Sequence, residues 1–371
     1  MTGPNVIVVG AGIVGCTIAY ELSRSGARVQ VLEPRAPGQG ATRASAGILA
    51  PYIEGHGSTL LRELGKRSLD HYDAFVERLR GDSSSDFTYR RNGTFELAFS
   101  QADVDRLTGL ATVLSKEGIA AQWIEPGGFD EYEPSASPSA LGALLIPTHG
   151  FVAVTAMTLA AVSAAERLGA RFTFGTGAIQ VHSLPGGRAG VHTSSSEWEA
   201  DRVVLAAGSW SSSITIEGAA APPVKPIRGQ LIQLQTRPGR IDRVIWGPDG
   251  YLVPWPDGSV LVGSTVEDVG FDEGHTDEAV TKLLETAATL VPALATAAMS
   301  SVRTGLRPKG PDDVPMLGRS KVVPGLIYAT AHYRNGVLFT PLTVQLVNDL
   351  VFDRADDPAL RDLDPARFGS F

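Results

Sequence analysis

Near the N-terminus, apolar residues run unbroken through Val6-Ile-Val-Val9 and recur in Val29-Gln-Val-Leu32, with a helically periodic segment between them. An unbroken apolar run bounded by glycine marks a strand buried on both faces, so the pattern predicts strand, helix, strand. Leu60–Leu79 predicts one polar amphipathic helix, ending at the turn Gly81-Asp-Ser-Ser-Ser. Thr88–Phe99 alternates like a strand, Gln101–Lys116 predicts a surface helix, and Leu141–Ile146 predicts a buried strand. Val154–Leu168 predicts a core helix, followed by strand-like runs at Arg171–Phe174, His182 and Val191. Asp201–Trp210 reads as a hydrophobic strand ending in small residues, as a central parallel strand does. From Val224 to Val269 short strands recur, with turns at Pro238-Gly239, Pro248-Asp-Gly250 and Pro256-Asp-Gly258. Asp277–Leu290 predicts a helix, and Arg303–Asp349 predicts strand, loop, strand, loop, helix.

The order implies an α/β protein of two lobes, since 371 residues exceed one simple core. A Rossmann-like nucleotide-binding domain is expected from residues 1–86, 150–214 and 301–371. An α+β domain with antiparallel sheet is expected from 87–149 and 215–300, so both are discontinuous in sequence.

The first unit carries Gly10, Gly12 and Gly15 at the strand-to-helix turn, and its second strand ends on Glu33. Gly10 permits the turn, Gly12 admits a pyrophosphate close to the backbone, and Gly15 lets helix and sheet pack closely. The helix N-terminus offers N–H groups and partial positive charge to phosphates. An acid about 20 residues on accepts ribose hydroxyls. Strand, glycines, helix, strand and acid together point to a dinucleotide and leave NAD and FAD open. The loop Ala41-Thr-Arg-Ala-Ser-Ala-Gly-Ile-Leu-Ala-Pro51 consists largely of small residues that let backbone approach a ligand.

Composition narrows the partners. A net charge of −8 argues against nucleic acid or an anionic membrane. Ser135–Ala165 lacks Asp, Glu, Lys and Arg, but Pro138, Gly142, Pro147, His149 and Gly150 interrupt it, so no membrane span is expected. Met1-Thr-Gly-Pro has no basic leader, and a soluble, cytoplasmic protein is expected. The one cysteine, Cys16, allows no disulfide and is read as a small buried apolar residue. His56, His71, His149, His182, His192 and His275 show no metal-ligand spacing, so no metal is expected. No GxSxG pattern appears; Asp312 and Asp313 are read as turn residues and Glu54 as a solvated charge.

Two C-terminal stretches remain: Gly305-Leu-Arg-Pro-Lys-Gly-Pro-Asp-Asp-Val-Pro-Met-Leu-Gly318 and Thr330-Ala-His-Tyr-Arg-Asn-Gly-Val-Leu-Phe-Thr-Pro341. A loop with Asn and Gly that opens a helix is a second anion site, suited to the N1/C2-carbonyl edge of a reduced flavin. With the glycine turn, Thr42-Arg-Ala-Ser-Ala-Gly-Ile-Leu49 and Leu205-Ala-Ala-Gly208, these stretches resemble the D-amino-acid oxidase superfamily of FAD enzymes. Val262-Gly-Ser-Thr-Val-Glu-Asp-Val-Gly-Phe-Asp272 is similar to its glycine oxidases of the thiamine-biosynthesis type.

The resemblance implies non-covalent FAD along Gly10, Gly12, Ile13, Val14, Gly15, Glu33, Pro34, Ala41, Thr42, Ala46, Gly47, Ile48 and Ala178. It places the flavin's pyrimidine end at His332, Tyr333, Arg334, Asn335, Gly336, Val337 and Leu338. It assigns Arg307 to the substrate carboxylate, Tyr251 as its assistant and Arg334 to the substrate side. A guanidinium offers a carboxylate two parallel donors, which suits that assignment.

The expected reaction is oxidation of a small amino acid by hydride transfer from the α-carbon to flavin N5. The imino acid gives a 2-oxo acid and ammonia, dioxygen gives peroxide, and no residue acts as acid or base. The product would serve thiamine thiazole synthesis, and a homo-oligomer is compatible. Trp255, where the family commonly has a basic residue, and Ala331, where glycine is usual, keep a sarcosine or D-amino-acid oxidase open. A quinone-linked D-amino-acid dehydrogenase and a non-catalytic FAD-binding partner protein stay open as well. An NAD-dependent dehydrogenase is the weakest reading.

Overall fold

The computed structural model describes residues 3–54, 58–236, 241–354 and 356–371. The expected turn at Pro238-Gly239 and His56 lie outside these residues.

A six-stranded sheet forms one half of the fold, in the order Met316–Arg319, Leu326–Thr330, Arg202–Leu205, Asn5–Val9, Arg28–Glu33, Arg171–Phe174. All pairings are parallel except that of Met316–Arg319 with Leu326–Thr330. Its strands are unbroken apolar runs because both faces are covered. On one face lie the helices Ile13–Arg24, Val154–Arg167 and Thr340–Val351, which share a core with Val6, Val8, Val29 and Val31. On the other, Ile7, Val9 and Leu205 pack with Val181, Val191 and Ile216 of a four-stranded sheet.

An eight-stranded sheet forms the second half: Ala298–Lys309, Lys225–Gln235, Ser259–Gly263, Gly250–Pro254, Val244–Gly247, Thr94–Ala98, Gly142–Ile146, Gln122–Ile124. It is antiparallel apart from the pairing of Val244–Gly247 with Thr94–Ala98. The helix Asp277–Leu290 covers one face through Leu283, Ala287 and Leu290.

The mixed α/β class, with a Rossmann-type parallel sheet beside a largely antiparallel one, agrees with the sequence reading. Several boundaries differ. The expected single helix over 60–79 is two, Thr59–Asp70 and Tyr72–Ser83, meeting at His71; the second runs through Gly81. The expected strand over 88–99 is interrupted at Gly93, which sits at φ +90°, so Tyr89–Arg90 and Thr94–Ala98 join different sheets. The strand expected from Arg303 begins at Ala298 and pairs along Lys225–Gln235, so residue 301 falls inside an antiparallel ladder. No helix among the described residues is long and apolar enough to cross a membrane.

Candidate active site

A cavity of about 590 Å³ lies where the two large sheets meet. Its first wall is backbone. Gly10 turns off the first strand at φ +104°, where a Cβ would lie 2.5 Å from the Ala206 carbonyl oxygen. A Cβ on Gly15 would collide with the Gly10 carbonyl, so helix and turn touch directly. Gly12 and Gly208 line the cavity instead: a Cβ at Gly208 would meet nothing within 4 Å, and one at Gly12 only Thr42 Oγ1 at 3.4 Å. The Ile13 N–H donates to Thr42 Oγ1 at 3.0 Å, tying the helix start to the small-residue loop. Glu33 accepts from the Ala11 N–H at 2.8 Å and the Arg35 N–H at 2.9 Å, which fixes its carboxylate at the cavity edge. Open backbone, a helix start and a fixed acid fit a dinucleotide. Cys16 is buried behind this wall, its thiol pushed up by desolvation and by the Glu33 charge.

The second wall is built of side chains on the antiparallel sheet. Arg307 donates to the Thr265 carbonyl at 3.0 Å and to Ser264 Oγ at 2.8 Å, so its guanidinium is braced by the loop after the Ser259–Gly263 strand. Tyr251 stands opposite Gly263 in the ladder, and a Cβ there would lie 2.7 Å from the tyrosine hydroxyl. A Cβ at Gly229 would likewise drive into the Arg307 guanidinium. Glycines on neighbouring strands therefore make the seats for both side chains.

The C-terminal segment completes the enclosure. His332, Tyr333, Arg334, Gly336 and Val337 line the cavity. His332 is buried and pairs through Nε2 with Thr343 Oγ1 at 3.0 Å; burial pushes its pKa down to about 4, so it is neutral at pH 7. Ala331 and Tyr333 both have positive φ, +58° and +48°, the geometry that makes glycine a natural residue before His332. Arg334 is exposed at the cavity rim.

Of the residues singled out from sequence, Gly10, Gly12, Ile13, Val14, Glu33, Pro34, Ala41, Thr42, Ala46, Gly47, Ile48, Ala178, Tyr251 and Arg307 also line this cavity. Gly15, Asn335 and Leu338 do not; Leu338 is part of the core against the Asn5–Val9 sheet. Trp255 is also outside it, its ring edge-on to Phe151 at 5.4 Å, so it adds no bulk to the lining. Asp312 accepts from the Val314 N–H and pairs with Arg367, while Asp313 pairs with Lys309.

Sequence reading missed Arg35, Trp210 and Glu273, which meet at the mouth. Arg35 lies 4.3 Å from the centre of the Trp210 ring and 2.9 Å from Glu273, and Arg43 reaches Glu273 at 3.4 Å. Buried Arg228 holds the turn that carries Glu273, bonding Asp272 at 2.5 Å and the Gly274 carbonyl at 3.0 Å. Ala206–Ser209, the small residues that end the strand read from Asp201, line the cavity as well.

Residues 5–350 match the family described as FAD dependent oxidoreductase. Glycine oxidase from Geobacillus kaustophilus is 31% identical over 349 residues, covering 94% of this chain and 92% of that protein. The bifunctional protein ThiO/ThiG from Synechocystis is 31% identical and aligns with 99% of this chain but 54% of its own length, so the chain spans about half of that relative. Among solved structures, glycine oxidase from Geobacillus kaustophilus matches with a TM-score of 0.93 at 29% identity, covering 99% of both chains. Iminodiacetate oxidase from Chelativorans matches at 0.88 and 28%, covering 97% of this chain and 98% of that one. The chain belongs to the family of FAD-dependent oxidoreductases, and FAD is its cofactor.

Proposed function

We propose that the protein is an FAD-dependent oxidase of a small amino acid of the glycine type, with dioxygen as acceptor and a 2-oxo acid, ammonia and peroxide as products. One observation carries the reading: Arg307, braced by Ser264 and Thr265, and Tyr251 line the same cavity as the glycine turn. The adenylate half of FAD would lie along Gly10, Gly12 and Glu33, and its flavin end at His332–Val337. Held non-covalently, FAD would supply a two-electron oxidant that takes hydride from the amine-bearing carbon and passes the electron pair to dioxygen.

Arg307 would take the substrate carboxylate through two N–H donors, with the Tyr251 hydroxyl as a third contact. Fixing the carboxylate fixes the α-carbon, so the protein works by orientation rather than by proton transfer. Glu33 and Glu273, the carboxylates on the lining, are both held by backbone or arginine partners and are not assigned as bases. A contribution to thiamine thiazole synthesis belongs to the same proposal and is supported by the likeness to ThiO/ThiG.

A second reading, a secondary amine with two carboxylates, is favoured by Arg334, which adds a guanidinium to the lining besides those of Arg307 and Arg35. A panel of glycine, sarcosine, D-alanine and iminodiacetate, added without oxygen, tests both. Bleaching of the yellow protein by one of them, followed by peroxide release in air, is expected. Colourless protein, or no bleaching by any amine, overturns the proposal. Bleaching with very slow recovery in air would assign a quinone-linked dehydrogenase instead.

A further inference from the structure

The four-stranded sheet carries a cluster that the proposed oxidation does not use. His182 lies on the Ala178–Leu184 strand, His192 on Arg188–Thr193, and Glu197 begins the edge strand Glu197–Ala200. The antiparallel register sets His182 opposite Gly190 and His192 opposite Glu197. Residues two apart on a strand share a face, so all three side chains stand on one side of the sheet. Sequence spacing hides this grouping, which the strand register creates.

Gly190 is needed here, because a Cβ would run into the His182 ring. The two imidazoles lie with centroids 4.4 Å apart and planes 21° apart. Glu197 Oε1 is 3.1 Å from His182 Nε2 and 3.8 Å from His192 Nε2. One donor atom from each residue falls within 4.8 Å of the other two. His182 is nearly buried, and its Nδ1 has no hydrogen-bond partner.

We propose that His182, His192 and Glu197 form a binding site for a borderline divalent cation of the zinc class. Two imidazoles and one carboxylate are a zinc donor set, with water filling the fourth tetrahedral position. Magnesium and calcium prefer six or more oxygen ligands and do not suit it. A shared ion must lie near the plane of both rings, so the stack opens on binding. His192 makes that movement, since its side chain is 44% exposed, while His182 stays packed. The ion then ties the edge strand to the next two strands of its sheet, away from the lining of the cavity.

Tag-free holoenzyme, stripped of metal, is titrated with Zn²⁺ by calorimetry. One equivalent per chain is expected, with affinity at least about tenfold weaker in His192→Ala and in Glu197→Gln. Both side chains are about half exposed, so the variants keep their flavin spectrum. X-ray absorption at the zinc edge is expected to show two imidazoles. Absence of saturable binding, affinity unchanged in either variant, a spectrum without imidazole, or equal binding of Ca²⁺ overturns the proposal.

Discussion

The two walls of the cavity use glycine for opposite purposes. Along the parallel sheet, Gly12 and Gly208 leave open space in front of the backbone, where a ligand can lie against N–H groups. Along the antiparallel sheet, Gly229 and Gly263 leave space that the protein fills itself, with the Arg307 guanidinium and the Tyr251 ring. One wall offers main-chain dipoles that cannot be removed by truncating a side chain. The other offers a charge and a hydroxyl that can. Cofactor retention and substrate affinity are therefore expected to separate between the walls.

The largest effect is expected at Gly15→Ala, where the new Cβ would collide with the Gly10 carbonyl and neither backbone can yield cheaply. The protein should be purified without flavin or fail to fold; a wild-type ratio of flavin to protein absorbance would refute the backbone-wall account. Arg307→Ala comes next. If its guanidinium binds the substrate carboxylate, losing it costs about 2–5 kcal/mol, so kcat/KM should fall by roughly 30- to 4,000-fold with the flavin retained. Arg307→Lys should recover only part, because an ammonium lacks the planar pair of donors. Gly229→Ala tests the seat: its Cβ displaces the Arg307 guanidinium, so KM should rise while flavin content holds.

The same contrast explains what was legible in the sequence. The dinucleotide unit closes within one βαβ stretch from Asn5 to Glu33, and its glycines, helix and acid act on near neighbours. Arg307 and Tyr251 meet through a sheet whose long-range register no local pattern encodes, and only the family resemblance picked them out. Trp255, which stands where the family commonly has a basic residue, packs behind the lining, against the cluster that holds Ala44, Ala46, Ile48 and Tyr251. Glu273 was invisible because it acts from a loop across to Arg35 and Arg43. The break at His71 left no punctuation either: there is no proline, and buried positions continue from Leu64, Ser68 and Leu69 to Tyr72, Phe75 and Val76.

Each half of the fold also holds a buried histidine, which gives the comparison a pH dimension. Burial pushes His332 down to about 4, and burial with the nearby Arg91 charge pushes His149 down to about 3. His149 bonds Thr94 of the antiparallel sheet through Nδ1 at 2.8 Å. Both are neutral in the folded state, whereas the unfolded chain takes up a proton on each near pH 6.5. Stability should be complete above pH 6.5. As pH falls from 6.5 towards 4, each should remove up to about 1.4 kcal/mol per unit, because the unfolded state then binds more protons. Urea midpoints at pH 7 and pH 5 measure the sum. A His332→Gln variant with an undiminished pH dependence would show that His332 contributes nothing.

Ala331 gives the smallest and most discriminating test, because three terms nearly cancel there. Its φ of +58° costs an alanine about 1–2 kcal/mol, which glycine would recover. Against that, glycine adds about 0.4–1 kcal/mol of unfolded-state entropy. It also removes a fully buried methyl packed with Val224 and Met316, worth about 0.8 kcal/mol. Ala331→Gly should therefore shift stability by less than about 1 kcal/mol, with flavin content unchanged. A β-branched Ala331→Val should be clearly destabilising, since it cannot adopt this φ and has no room. If glycine instead stabilised the protein strongly, the positive φ at Ala331 would outweigh the other two terms, and the segment that closes the cavity over the two walls would be held under backbone strain.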